Sequence, residues 1–426
     1  MPNFDECVRY AAITDIGMRR QNNQDSWNVM LAPDLDYYQQ RGHLFVVADG
    51  MGAHAAGELA SKLAVDDIPL TYGKHNELEP PAALRQAIID ANRKIHAKGR
   101  ANSEFQGMGT TCSSLLLLPA GAVIGHVGDS RIYRLRGDVL EQLTFDHSLV
   151  WEMRAAGQIP ADADNFHLPK NIITRSLGPN PDVQVDLEGP LPLEAGDLYL
   201  LCSDGLTGPV QDAELAAVLK AFPPDDAART LVELANLRGG PDNITVIVVE
   251  VVALPGEAED SQPAPAKKFS LPALWLGLGL MLLVATVALW LGGWKLPAFL
   301  AAVFSLVAWI VGILQHFESG TAGQASGGTA RMGRAPYVTC DARPGPAVVQ
   351  EFQRVAAELQ ATATARGRQV DWQPFTQKTE AAEAARQQGD FLAAVRHCGS
   401  AISLVIAQLK SEGRAKAPSD SHVDLL

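Results

Sequence analysis

The chain has 426 residues, 47% of them hydrophobic and 19% charged, with a formal net charge of −13 at pH 7. That is length for two or three domains with sizeable cores, and it excludes disordered, collagen-like and small disulfide-scaffold classes. Residues 1–256 carry 20 Lys and Arg against 34 Asp and Glu, whereas residues 320–426 carry 12 against 10. The acidic half has no electrostatic footprint for nucleic acid, and no nucleic-acid partner is expected. Cys7, Cys112, Cys202, Cys340 and Cys398 form no CxxC pair, so a zinc ribbon or disulfide framework is not expected and a reducing compartment fits. The opening MPNFDECVRY has Asp and Glu where a signal peptide would have a basic then apolar run.

In chain order, residues 1–256 show short β-rich runs at Cys7–Ile13, His43–Ala48, Cys112–Leu118, Ala122–Val127, Arg131–Leu135, Leu198–Cys202 and Asn243–Val252. Helical stretches fall at Ala55–Ile68 and Pro81–Lys98, then near His147–Ala156, Asp212–Leu219 and Asp225–Leu237. Strands cluster around helices and do not alternate strictly with them, which predicts an α+β domain and not a doubly wound sheet. Residues 257–270, with EAEDSQPAPAKK, read as a Pro/Ala-rich linker.

Two uncharged apolar runs follow, Leu271–Gly293 and Leu296–Leu314, joined by Trp294 and Lys295. Each is long enough to cross a hydrocarbon core of roughly 30 Å as a helix. Glycines 292 and 293 and Pro297 suit a tight turn, so residues 271–314 are expected to form a transmembrane hairpin in contact with lipid. The competing reading, a buried helix pair, lacks the polar face such helices show. Lys267, Lys268, Arg331 and Arg334 flank the hairpin against one Lys in its turn. That asymmetry favours both soluble parts facing the cytoplasm, and the chain is expected in the inner membrane as a two-helix protein. Residues 315–345 read as a Gly/Ser-rich flexible linker, and residues 346–426 as a small all-α module for docking or oligomerisation with a disordered tail.

The chemistry lies in four aspartates at the ends of apolar runs. Asp49 closes HLFVVAD before Gly50, Asp129 closes VIGHVGD, Asp204 closes LYLLCSD before Gly205, and Asp242 precedes NITVIVVE. Singly, each reads as an Asx-turn at a strand end. Together, with no local Lys or Arg run to balance them, they need cations between them. Oxygen ligands with few His or Cys nearby select Mg²⁺ or Mn²⁺. A pair of such ions suits hydrolysis at phosphorus. Arg19 and Arg20, beside Asn22, Asn23 and Asp25, supply an arginine fork for a tetrahedral phosphate.

These residues sit in motifs that resemble the metal-dependent protein serine/threonine phosphatases of the PP2C, or PPM, family in its bacterial form. TDIGMRRQNNQD, VVADGMGAHAAGE, GMGTTCSSLLL, VGDSRIYRLR, LTFDHS, TRSLG, LCSDGLTG and GGPDNITVIVV follow in the family's order across nearly all of residues 7–252. The resemblance implies a sandwich of two antiparallel sheets flanked by helices, with two cations at one end and a third, weaker one. By the same resemblance, Asp49 would bridge two metals, Gly50 would bind through its carbonyl, and Asp204 and Asp242 would each hold a metal. Asp25 would orient metal waters, Asp129 would help bind the third ion, and Arg20 would clamp phosphate. It implies in-line attack of a metal-bridging hydroxide on phosphoserine or phosphothreonine of a protein, with a Ser/Thr kinase as a cognate partner. Ala53 stands where bacterial members carry a second glycine, and His54 is left without a catalytic role. Residues 147–176 correspond to the variable flap beside the site. Two rivals stand beside this reading: a phosphatase for one partner-switching phosphoprotein, and a membrane scaffold with a vestigial catalytic domain.

Overall fold

Along strand β3 (His43–Met51), Leu44, Val46 and Ala48 are buried against helices while Phe45 and Val47 are buried against a second sheet. The period-2 alternation of a strand is hidden in the sequence because both faces are apolar. This computed structural model describes residues 7–52, 55–159, 172–254, 271–306, 309 and 332–416. They divide into two units, the first made of residues 1–255 with 331–426 and the second of residues 256–330.

In the first unit one sheet runs β1 (Val8–Asp15), β11 (Ile244–Val251), β10 (Leu198–Cys202), β7 (Arg131–Arg136), β8 (Val139–Gln142) and β12 (Val338–Asp341). The other runs β2 (Asp25–Met30), β3, β5 (Cys112–Leu118), β6 (Gly121–Val127) and β9 (Asp186–Leu191), with β4 (Gly109–Thr110) on the end of β3. Every pairing is antiparallel. The inner layer between the sheets holds Phe45, Leu115, Ile132, Tyr199 and Ile247. Helices α2 (Ala56–Lys74) and α3 (Pro80–Ala101) cover the second sheet, while α6 (Asp212–Ala221) and α7 (Pro224–Leu237) cover the first. This is the two-sheet sandwich expected. Three short helices, α1 (Leu35–Arg41), α4 (Leu149–Ala155) and α5 (Asp204–Thr207), sit in connections.

The C-terminal region departs from the expectation of a separate module behind a flexible linker. Residues 332–345 are part of the first unit: Met332 bridges Gly189, Tyr337 hydrogen-bonds buried Glu188, and β12 extends the first sheet by pairing with β8. Helices α10 (Pro346–Ala365), α11 (Trp372–Gln387) and α12 (Phe391–Lys416) then join the core already shared by α6 and α7. Val349, Phe352, Val395, Cys398, Ile402 and Val405 are fully buried in it. Arg396 Nε donates to the Ala221 carbonyl at 2.8 Å and Ser403 Oγ to Glu233. A single helical hairpin cannot bury its own apolar face, and here α6 and α7 supply the missing surface. By length and composition alone α12 could cross a membrane over Phe391–Glu412, but its apolar stripe faces this core and Arg396, His397 and Lys410 occupy other positions. It is a core helix.

In the second unit α8 (Leu271–Leu291) is followed by α9 (Lys295–Leu306). Gly293, at φ 82°, makes the turn, and Trp294 N–H returns to the Leu289 carbonyl. Trp290, Leu291, Leu296, Phe299 and Phe304 are more than 60% exposed, the reverse of a water-soluble helix. The expected second span reaches residue 314, and its end lies outside the described residues, as do the linker at 257–270, residues 315–331 and the tail after 416.

Candidate active site

Both sheets bring their acidic residues to one end. Asp25 opens β2 directly opposite Asp49 near the end of β3. Asp129 lies between β6 and β7, Asp204 starts α5 right after β10, and Asp242 immediately precedes Asn243 and β11. In the first sheet Cys202 pairs with both Val246 and Arg131, which aligns the segments carrying Asp204, Asp242 and Asp129. Two glycines keep the segments close. A Cβ on Gly50 would lie 2.1 Å from the Gly57 carbonyl oxygen, and one on Gly205 would lie 2.0 Å from that of Asn243. Any side chain would push the backbone aside.

The electrostatics are those of carboxylates packed without a balancing charge. Burial pushes the Asp25 carboxyl up to about 7, helped by the Asp204 and Asp242 charges and opposed by hydrogen bonds from Ser203 and Thr245. Burial likewise raises Asp129 to about 7, with Asp204 and Asp146 adding repulsion. Asp49 is held well above the carboxylate range by burial and then by Asp25, Asp204, Asp129 and Asp242. Asp204 is raised by burial and by Asp242, while a hydrogen bond with Asp49 lowers it. Asp25 Oδ1, Asp129 Oδ1 and Asp204 Oδ1 are buried with no hydrogen-bond partner. Buried oxygens of this kind are costly unless a cation meets them.

Among the described residues no three His, Cys, Asp or Glu side chains are disposed to hold one ion between them. A site for Mg²⁺ or Mn²⁺ does not need three, because such ions take one or two carboxylates and complete their shell with water or carbonyl oxygens. The orphaned oxygens, the mutual repulsion and the all-oxygen donor set fit hard divalent cations, and Asp49, Gly50, Asp129, Asp204 and Asp242 are residues that could hold them.

Asp25 is fixed by Ser203 Oγ, which donates to Oδ2 at 2.7 Å. Arg20 Nη2 donates to Asp242 Oδ2 at 2.7 Å, and the guanidinium remains about half exposed. Asn243 welds the two loops: its Nδ2 donates to the Ile16 and Asn22 carbonyls and its Oδ1 accepts from Gln24 N. Beside Asp129, Gly128 N donates to His147 Nδ1, while His147 Nε2 contacts Asp186. Arg131 grips buried Asp146 through Nε and Nη2 and lies over the Trp151 ring in α4.

All seven candidates, Arg20, Asp25, Asp49, Gly50, Asp129, Asp204 and Asp242, therefore stand at the same end of the sandwich. Ser203 and Asn243 belong to the same end, and in the sequence the signal for each is that it adjoins one of the four aspartates. Ala53, His54 and flap residues 160–171 lie outside the described residues.

A family model described as protein phosphatase 2C matches residues 18–234. The chain is 39% identical over 250 residues to Protein phosphatase PhpP of Streptococcus pneumoniae, covering 57% of this chain and 98% of that protein. It is 38% identical over 242 residues to serine/threonine phosphatase stp of Listeria innocua, covering 56% and 93%. A solved structure of the Mycobacterium tuberculosis serine/threonine phosphatase PstP/Ppp is similar with a TM-score of 0.51 and 35% identity, over 58% of this chain and 99% of that one.

Proposed function

The chain belongs to the protein phosphatase 2C family and its N-terminal half is a serine/threonine phosphatase domain; from that premise we propose a membrane-anchored enzyme that hydrolyses phosphoserine and phosphothreonine on proteins, using Mn²⁺ or Mg²⁺. The observation that carries the reading is the set of buried, unsatisfied carboxyl oxygens on Asp25, Asp129 and Asp204 around Asp49. When bound, two divalent cations would supply a lowered pKa for a water and positive charge to neutralise phosphate oxygens, the chemistry that hydrolysis at phosphorus needs. Asp49, Asp204, Asp242 and the Gly50 carbonyl would hold them, with Asp129 toward a third. Asp25, fixed by Ser203, orients water. Arg20 has donors beyond the one spent on Asp242, and its planar fork matches a phosphate entering from solvent.

Anchoring is supported by the exposed apolar surface of α8 and α9 and by the chain's topology. Residues before and after the hairpin share one core, so both flanks must lie on one side of any membrane, which an even number of crossings satisfies. The flanking Lys and Arg favour the cytoplasmic side of the inner membrane. Held there, the enzyme would meet membrane-bound kinases or their substrates at raised effective concentration.

The test is turnover of a phosphothreonine peptide in membrane and soluble fractions. The full chain is expected to act in the membrane fraction only with Mn²⁺ or Mg²⁺, and Asp49→Asn to lose at least about 100-fold. A chain lacking residues 271–314 is expected to keep its turnover and move to the soluble fraction. Turnover that persists in EDTA would refute the cation site, absence of cation binding would favour the scaffold reading, and unchanged membrane recovery would refute the anchor.

A further inference from the structure

Asp242 sits in a short loop that begins where α7 ends, at Arg238. Arg238 is mostly buried, and both terminal nitrogens of its guanidinium are engaged: Nη1 donates to Glu214 Oε2 at 2.7 Å and to the Pro209 carbonyl at 3.0 Å, while Nη2 donates to Glu214 Oε1 at 2.5 Å and to Glu351 Oε1 at 3.0 Å. Glu214 also accepts from Gln211 N at the start of α6. Glu351, the remaining partner, belongs to α10 and is contributed by the C-terminal region. From Arg238 onward the loop is tightly constrained. Met18 N–H bonds the Gly240 carbonyl, a Cβ on Gly17 would lie 2.2 Å from the Asp242 carbonyl oxygen, and Asp242 itself holds Arg20.

We propose that Glu351, through Arg238, is a positioning residue for the Asp242 loop, so that docked helices α10–α12 tune the cation affinity of the site. The inference rests on the phosphatase reading above. The sequence relatives reported above match 56–57% of the chain, whereas Glu351 lies beyond the phosphatase domain that they share. Glu351 reaches neither the carboxylates nor the substrate arginine. It is shared between Arg354 on its own helix and Arg238, and so ties to α10 a guanidinium whose other anchor, Glu214, is nearly buried. Without Glu351, Arg238 keeps Glu214 and the Pro209 carbonyl but loses its tie to α10. The loop then presents Asp242 less well to a cation while the bound site, once filled, works as before.

The experiment measures Mn²⁺ binding to the full-length protein by calorimetry, alongside turnover as a function of Mn²⁺. Glu351→Ala is expected to raise the Mn²⁺ dissociation constant about 5-fold, with kcat at saturating Mn²⁺ within about 2-fold of the parent. Glu351→Gln keeps an acceptor oxygen for Nη2 and is expected to recover most of the affinity. Arg396→Ala removes a different anchor of the same helices, the bond to the Ala221 carbonyl, and is expected to leave Mn²⁺ binding unchanged. Equal affinity in Glu351→Ala and parent overturns the proposal while leaving the phosphatase reading standing. Equal weakening by Arg396→Ala also overturns it, because general docking would then be responsible. A parent chain that binds no Mn²⁺ removes both.

Discussion

Asp25 and Asp49 face each other across β2 and β3, where like charges repel, and burial favours their protonated forms. A carboxyl with a raised folded pKa binds a proton that the unfolded chain has already released. Metal-free stability therefore falls as pH rises from about 4, the unfolded value, to about 7, the folded value of Asp25 and Asp129. Cations replace those protons, so their stabilising effect must grow over the same window. The rise in melting temperature on adding Mn²⁺ is expected to be larger at about pH 7.5 than at about pH 5.5. An equal rise at both would show that these carboxyls are not what the metal engages. The aspartates were legible because three close an apolar run and sit beside a glycine while the fourth, Asp242, comes just before such a run. Ser203 and Arg238 were not, because their meaning depends on Asp25, 178 positions away, and on Glu351, 113 positions away.

At the scale of elements, α12 shows how composition and packing diverge. Its run from Phe391 is apolar enough to span a membrane, yet Ala394, Val395, Cys398, Ala401, Ile402, Val405 and Leu409 form one buried stripe at helical spacing. Ile402→Ala in the full chain, in detergent, is expected to cost about 2–5 kcal/mol in urea unfolding and to leave membrane recovery unchanged. A change below about 0.5 kcal/mol would place this face outside the core. The helices of residues 346–416 were legible from periodicity. Strand β12 was not: VTCD is four residues long, follows a Gly-rich stretch, and gains its identity only by pairing with β8. Likewise β2, β8 and β9 are short or carry polar residues, so local pattern alone could not define them.

At the scale of the whole molecule, the site is assembled from residues 20 to 242, and the helices packed over α6 and α7 come from beyond residue 331. A hairpin of exposed apolar helices is inserted between two stretches that fold as one unit. The sandwich was legible because eight motifs occur in order, but the return of the chain onto α6 and α7 was not, since the apolar faces that meet there are ordinary amphipathic faces in each segment alone. On this reading aspartates scattered over this length share cations. Calorimetric titration of the full chain with Mn²⁺ tests it most directly. At least two cations per chain are expected to bind, and Asp204→Asn is expected to lose at least one of them. No binding, or an unchanged stoichiometry and affinity in Asp204→Asn, would contradict it.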